Sequence, residues 1–280
     1  MTAKNGFLEV KHHKKEIGKW LLLAFVILWF AILVLFPLYG IVRETVQNGI
    51  QIFLSTLATP AARHAFWLTL LITVSTVVID TVLGTILAVV LVKQNFKGKL
   101  VLESLVDLPF AVSPVVAGFM FIILFGPKGW IGSWFESINV KIIYALPGMM
   151  IATLFVTLPF VVREVVPVLR EFGKEQEESA STLGASGWQT FWRVTLPSIK
   201  WGLAYGITLT IARSIGEFGA VLVVSGSIIH KTQTATLHIH DQFTDFNYAG
   251  AFSAALLLAV VSFIILNIIQ FVYKKKKGGA

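Results

Sequence analysis

The feature that most restricts the fold of this sequence is a set of six apolar stretches, each long enough to cross a lipid bilayer as a helix. A hydrocarbon core about 30 Å thick needs roughly 20 mostly apolar residues per helix. Mean hydropathy is +0.79 and only 14% of the 280 residues are charged, against about 25% in soluble domains. We therefore predict an all-α polytopic membrane protein with six transmembrane helices. They are Trp20–Val42, Phe66–Val92, Leu100–Phe125, Ile142–Val162, Trp201–Val224 and Ala249–Tyr273.

Two features bear on the limits of these spans. The third and fourth stretches contain prolines that we expect to kink the helices without ending them, because neighbouring helices can satisfy the freed carbonyls. The first stretch follows a basic segment, as a secretory signal would. It is long and lacks a small-residue cleavage pattern, so a retained membrane helix is predicted. The prolines are Pro109, Pro114, Pro147 and Pro159.

The distribution of Lys and Arg predicts the orientation. Seventeen of these residues fall in the N-terminus, the second and fourth connections and the C-terminal tail, and five fall in the alternate connections. By the positive-inside rule, both termini are cytoplasmic. We expect one transmembrane domain (20–273) between a basic N-terminus (1–19) and a short tail (274–280), with the longest cytoplasmic connection at 163–198.

This connection carries the most informative pattern. Its first part is acidic and favours a helix, Gly184 and Gly187 bracket a predicted sharp turn, and a partly apolar stretch around Trp188 follows before Pro197 starts the fifth span. A helix, a turn and a second helix with exposed aromatic residues would form a compact knob. Such a knob suits docking to another protein, although a plain solvated interfacial loop has similar composition.

The spacing within this connection resembles the EAA loop of bacterial ABC importer permeases, a MetI-like fold. The spacing of the family pattern is met without gaps. Ser179, where the pattern has alanine, and Val194, where it has isoleucine, are mild departures. The resemblance implies coupling helices that seat in a cleft of an ATP-binding subunit, and a multi-pass protein of the bacterial cytoplasmic membrane. The matching residues are Glu178, Ser179, Ala180, Gly184, Val194, Leu196 and Pro197.

The fifth span carries two charges. Arg213 and Glu217 are four residues apart, so we expect them to share a helix face and to neutralise each other partly. They could fix helix packing, or Arg213, held in place by Glu217, could border an anion path together with Ser214. Gly216 and Gly219 would permit close helix approach or local unwinding at a hinge or gate.

The run Arg-Ser-Ile-Gly-Glu-Phe-Gly-Ala (213–220) resembles permeases for sulfate, thiosulfate, molybdate and tungstate. Residues 107–114, 158–164 and 183–197 resemble the sulfate branch, CysW type. The resemblance implies a heterodimer with a CysT-type permease subunit, a cytoplasmic ABC ATPase dimer and an extracytoplasmic sulfate-binding protein. Molybdate or tungstate remains the alternative substrate.

Other polar groups have less certain roles. A carboxylate is costly midway along the second span, so Asp80 is expected to be functional or to hydrogen-bond a neighbouring helix. Asp107 is expected to be structural. His238, His240 and Asp241 could share one face of a strand as metal ligands, but too few ligands are present to close a site. Contact with the external binding protein is favoured for this segment.

The sequence contains no phosphate-loop or zinc-protease motif and no cysteine. We therefore predict a non-catalytic subunit that binds no cofactor itself, with ATP and magnesium used by the partner ATPase. A self-contained secondary transporter would more often have additional spans and paired broken helices. An intramembrane enzyme would need a catalytic constellation that this sequence lacks.

Overall fold

The computed structural model describes residues 19–277, so the predicted basic N-terminus up to residue 18 and the last three residues of the tail lie outside it. Within this range the chain forms twelve helices and no strand. They are α1 (Lys19–Gln47), α2 (Ile50–Leu57), α3 (Pro60–Lys93), α4 (Lys99–Ala111), α5 (Pro114–Phe125), α6 (Gly132–Ser137), α7 (Leu146–Phe172), α8 (Glu175–Thr182), α9 (Gly187–Ile215), α10 (Gly219–Ser225), α11 (Ala235–Thr244) and α12 (Tyr248–Lys277).

Four helices, α1, α3, α7 and α12, are each long and apolar enough to cross a membrane. Two bent pairs complete the set: α4 and α5 meet at 116°, and α9 and α10 meet at 53°. Counting each pair as one span gives six, which agrees with the predicted architecture.

The prediction of one continuous helix over Leu100–Phe125 is wrong. Val112 and Ser113 are extended, with ψ of 130° and 136°, and Pro114 begins a new helix. Proline has no N–H and disfavours helical geometry in the residue before it. Pro114 therefore ends a helix, whereas Pro109 is accommodated inside α4 as expected.

The connection over residues 163–198 has the predicted helix, turn and helix, but the membrane helices on both sides continue into it. Helix α7 runs well past the expected end of the fourth span, and its extension pairs with α4. Arg163 Nε lies 2.9 Å from Asp107 Oδ1, and Arg170 Nη2 lies 3.1 Å from Glu103 Oε1. These exposed pairs add little energy, whereas Val165 and Leu169 of the extension are buried in the apolar core, so packing stabilises this end of α7.

The centre of the bundle is formed by α3, α7 and α9, which approach each other at glycines. A Cβ added at Gly84 would lie 2.7 Å from the Cβ of Val161, and one at Gly206 would lie 3.0 Å from the Cα of Val161. Gly202 meets the main chain of Glu164 in the same way, at 2.7 Å. Small residues allow membrane helices to pack closely, so α7 is held between the other two.

Helix α1 lies at the periphery. None of its most apolar window is buried, and the side chains of Trp20, Phe25 and Trp29 are more than half exposed. Such a surface needs lipid or another apolar protein surface around it. This exposure accounts for the strongly apolar first stretch of the sequence.

Candidate functional site

The first candidate region is a knob of residues 174–195, built around a turn at Gly184. This glycine has φ +84°, in the left-handed region that other residues rarely adopt. The Ala185 N–H donates to the carbonyl of Ala180 at 3.0 Å across the end of α8. This hydrogen bond and the left-handed glycine form a Schellman-type helix end, so the structure has the predicted turn.

A capping box starts the following helix. Ser186 Oγ accepts from the N–H of Gln189 at 3.3 Å, and Gln189 Oε1 accepts from the N–H of Ser186 at 2.9 Å. The two side chains thereby satisfy two main-chain donors at the start of α9. The short-range sequence around Gly184 therefore dictates both the end of one helix and the start of the next.

Three of the predicted docking residues, Val194, Leu196 and Pro197, lie within the continuous helix α9. The prediction that Pro197 starts the fifth span is wrong. Pro197 lies inside a helix that begins ten residues earlier, at Gly187. A π-helical turn over Phe191–Thr195 precedes the proline. That wider turn lies where the proline removes one main-chain donor.

The knob presents apolar and acidic side chains together. Leu183 and Trp188 are 88% and 70% exposed, which is unusual for large apolar side chains and is typical of an interaction surface. On α8, Glu178 and Ser179 are exposed and Ala180 is half-buried. Their predicted docking role is not tested by the geometry of this chain alone.

The second candidate region is the break in the fifth span, held by Glu217. This residue is 3% exposed. Its Oε1 accepts a hydrogen bond from the N–H of Ala220 at 2.9 Å, and its Oε2 lies 2.7 Å from Nη1 of Arg213. The predicted ion pair is present, but the shared helix face is wrong, because α9 ends at Ile215 between the two residues.

The two broken spans meet beside this ion pair. A Cβ added at Gly219 would lie 3.1 Å from the Cβ of Pro114, and one at Gly118 would lie 2.7 Å from the Cβ of Val223. Helices α5 and α10 therefore approach more closely than larger side chains allow. Gly216 lies on the other side of the break, as the cap of α9.

A cavity of about 430 Å³ opens at this meeting point. Phe110 and Ser113 from the α4–α5 bend, Phe160 from α7, and Arg213 form part of its wall. The Arg213 side chain remains 31% exposed despite its ion pair, so an anion in the cavity could reach it. Ser214 is buried, with 4% exposed. The predicted path and hinge roles of these residues stay predictions.

Asp80, the carboxylate midway along the second span, has a hydrogen bond to a neighbouring helix. Asp80 is fully buried in α3, and the hydroxyl of Thr157 in α7 donates to its Oδ2 at 2.5 Å. Asp80 was expected either to be functional or to hydrogen-bond a neighbouring helix, and the structure contains that hydrogen bond. The pairing of Asp107 with Arg163 agrees with its expected structural role.

The segment with His238, His240 and Asp241 is the helix α11, so the strand geometry considered for metal binding is wrong. Asp241 Oδ2 accepts hydrogen bonds from Ser227 and Gln233, both at 2.6 Å. Burial lowers the pKa of His238. Within residues 19–277 no group of three metal-ligating side chains is placed to hold an ion.

The ion pair between Lys93 and Glu177 could not be predicted from the sequence. Lys93 at the end of α3 pairs with Glu177 of α8, although 84 positions separate them. No spacing rule connects residues so far apart. The available indication was that both were predicted to lie on the cytoplasmic side.

A helical membrane bundle with two broken spans around an arginine-bearing cavity, and a helical knob outside its apolar part, defines a subunit of a transport protein. Residues 80–278 match the model of the family described as the inner membrane component of binding-protein-dependent transport systems. The chain belongs to this family.

Individual relatives agree with this assignment. The chain is 47% identical to the sulfate transport system permease protein CysW of Synechocystis over 90% of this chain and 92% of the relative. It is 35% identical to the CysT permease protein of Escherichia coli over 86% and 87%. The fold matches a chain in the crystal structure of a bacterial alginate ABC transporter, with a TM-score of 0.81, 19% identity, and 95% and 96% coverage.

Proposed function

We propose that this chain is a permease subunit of an ABC importer that carries sulfate across the bacterial cytoplasmic membrane. The observation that carries the proposal is the position of Arg213, a cation held by buried Glu217 at the wall of a cavity between two broken spans. The identity to CysW proteins over most of the chain supports sulfate as the substrate.

The charge arrangement suits transient passage of an anion. A dianion loses much of its hydration on entering a membrane, which is costly without compensation. A guanidinium can replace part of that hydration with planar hydrogen bonds. Because Glu217 already neutralises Arg213 partly, an anion would be held weakly enough to move on.

The proposed assembly has three further components. An ATPase dimer, which uses ATP and magnesium, would dock on the knob through its exposed leucine and tryptophan. A CysT-type subunit would complete the membrane dimer, and an extracytoplasmic sulfate-binding protein would deliver the anion. Both termini would then be cytoplasmic, as the basic residues predict, and this chain would itself carry out no catalysis.

Reconstitution of the full complex in vesicles tests this function. We expect ATP hydrolysis and uptake to be stimulated by sulfate-loaded binding protein, and Arg213→Ala to lower uptake by about tenfold or more while the ATPase still assembles. Arg63→Ala, at an exposed position at the start of α3, is the control. If molybdate but not sulfate stimulated ATP hydrolysis and uptake, the proposed substrate would be wrong. Uptake without any ATPase would contradict the assignment to ABC importers.

A further inference from the structure

A polar contact joins the knob to the end of the second span. It is made by side chains from three helices, α3, α8 and α9. Lys93 Nζ, at the end of α3, forms an ion pair with Glu177 Oε1 on α8. The hydroxyl of Thr195, in the π-helical turn of α9, donates to the same oxygen at 2.5 Å and lies 3.3 Å from Lys93 Nζ. One carboxylate oxygen thus connects three helices.

This contact differs from the other ion pairs on the same side of the bundle. Thr195 is fully buried, and the side chains of Lys93 and Glu177 are only 23% and 16% exposed. The side chains of the pair Arg163–Asp107 are 55% and 48% exposed. Water screens an exposed pair and leaves it little net energy, whereas a partly buried pair is screened much less.

The surroundings of α8 give this contact its mechanical importance. The helix packs mainly on the first turns of α9, and a cavity of about 660 Å³ lies between them, lined by Lys93, Glu177, Gly187 and Thr195 among others. Lys93 is the residue on the cavity wall that ends a membrane span. Displacement of α8 can therefore reach α3 through this side chain.

Helix α3 in turn reaches the centre of the bundle. It packs along α7 and α9, and its Asp80 is bound to Thr157 of α7. A pull on the end of α3 would shift a helix that is tied into the core, whereas a pull on α9 acts on the broken span directly. The knob thus has two separate attachments to the membrane helices.

We propose that the Lys93–Glu177–Thr195 contact is a force-transmitting link that carries movement of α8 to α3 during transport. Glu177 acts as a positioning residue because it holds the knob against the span and touches no substrate. This inference rests on the proposed function, in which an ATPase moves the knob. It adds a second transmission route, through α3, to the route along α9.

The reconstituted complex tests the link through the number of ATP molecules hydrolysed per anion imported. Glu177→Gln and Lys93→Gln are expected to lower uptake by about tenfold, while ATP hydrolysis changes by less than about twofold. The double variant K93E/E177K restores opposite charges and should recover most of the uptake. Thr195→Val, which keeps the shape and removes the donor, should give a smaller loss in the same direction.

The matched control is Glu103→Gln, which removes an exposed pair with Arg170 and should leave the ratio unchanged. A wild-type ratio in both single variants would overturn the link. Loss in the single variants without recovery in the double variant would also overturn it. The proposed function is tested earlier in the same experiment, because it fails if the wild-type chain does not assemble with an ATPase.

Discussion

The chain from residue 175 to 225 is interrupted twice, at the knob and within the fifth span, and glycine serves a different purpose at each place. Gly184 has φ +84°, and a Cβ added there would meet no atom within 4 Å. Gly219 has an ordinary backbone conformation, but its Cβ would lie 3.1 Å from Pro114. The first glycine is required by backbone geometry, the second by the approach of another helix.

The comparison also separates how the two breaks are stabilised. At the knob, hydrogen bonds close in sequence complete the helix ends, and the turn needs no distant partner. Within the span, the buried carboxylate of Glu217 stabilises the break, because it pairs with Arg213 and accepts a hydrogen bond from the start of α10. A break in water can rely on local hydrogen bonds and solvent, whereas a break at membrane depth must be satisfied by protein groups or by water inside a protein cavity.

The largest expected effect is that of Glu217→Ala. This variant leaves Arg213 without its counter-ion and the start of α10 without its acceptor. Loss of one partner of a fully buried pair costs about 3–5 kcal/mol, and the 31% exposure of the Arg213 side chain places the expected cost towards the lower end of that range. We expect a clear fall in the midpoint of thermal unfolding in detergent. Glu171→Ala, at an exposed site at the end of α7, is the control; equal midpoints for both variants would refute the structural role of Glu217.

A smaller effect is expected for Gly184→Val. A left-handed conformation costs other residues about 1–2 kcal/mol, and β-branched side chains suit it least. The strained turn should reorient α8 and lower uptake more than it lowers ATPase binding. Gly184→Asn, which tolerates this conformation, should behave nearly as wild type; full uptake by the valine variant would show that the turn geometry is not needed.

Gly219→Ala should cost less again. The added methyl group is too close to Pro114 and Val115, but alanine restricts the unfolded chain more than glycine does, which contributes about 0.4–1 kcal/mol and offsets part of the overpacking. We expect a thermal midpoint slightly below wild type. Gly219→Val should be much worse, and if the two variants are equally stable the close approach of α5 and α10 is not limiting.

The smallest effect on stability is expected for Gly216→Ala. Its added Cβ would lie 3.8 Å from the Ala212 carbonyl oxygen, an ordinary contact, so stability should change by less than about 0.5 kcal/mol. The predicted hinge role requires backbone freedom and not space. Reduced uptake at an unchanged midpoint is therefore expected, and unchanged uptake would show that Gly216 only ends α9.

The predictable parts of the structure are those governed by local rules. The runs of apolar residues located the spans, and Gly184 and Gly187 located the turn between the two helices of the knob. The pairing of Arg213 with Glu217 was also foreseen from their separation. The helix end between them was not, because Gly216 within a helical pattern is compatible with both a continuous and a broken helix.

The parts that could not be predicted depend on contacts across the bundle. Pro109 and Pro114 are not distinguished by their sequence context, yet Pro109 lies inside α4 and Pro114 starts α5. The fold bends the chain by 116° between these two helices. The Asp80–Thr157 hydrogen bond and the Lys93–Glu177 pair join residues 77 and 84 positions apart. Only the packed helices bring these groups together.

The extended main chain at Val112 and Ser113 has a consequence for hydration. Peptide groups outside a helix are not tolerated against hydrocarbon and persist at membrane depth only where protein or water surrounds them. Both residues border the cavity that contains Arg213, so we expect water in this pocket to hydrogen-bond their peptide groups. Amide protons next to the bend should accordingly exchange with deuterated solvent far sooner than those in the middle of α3 or α7.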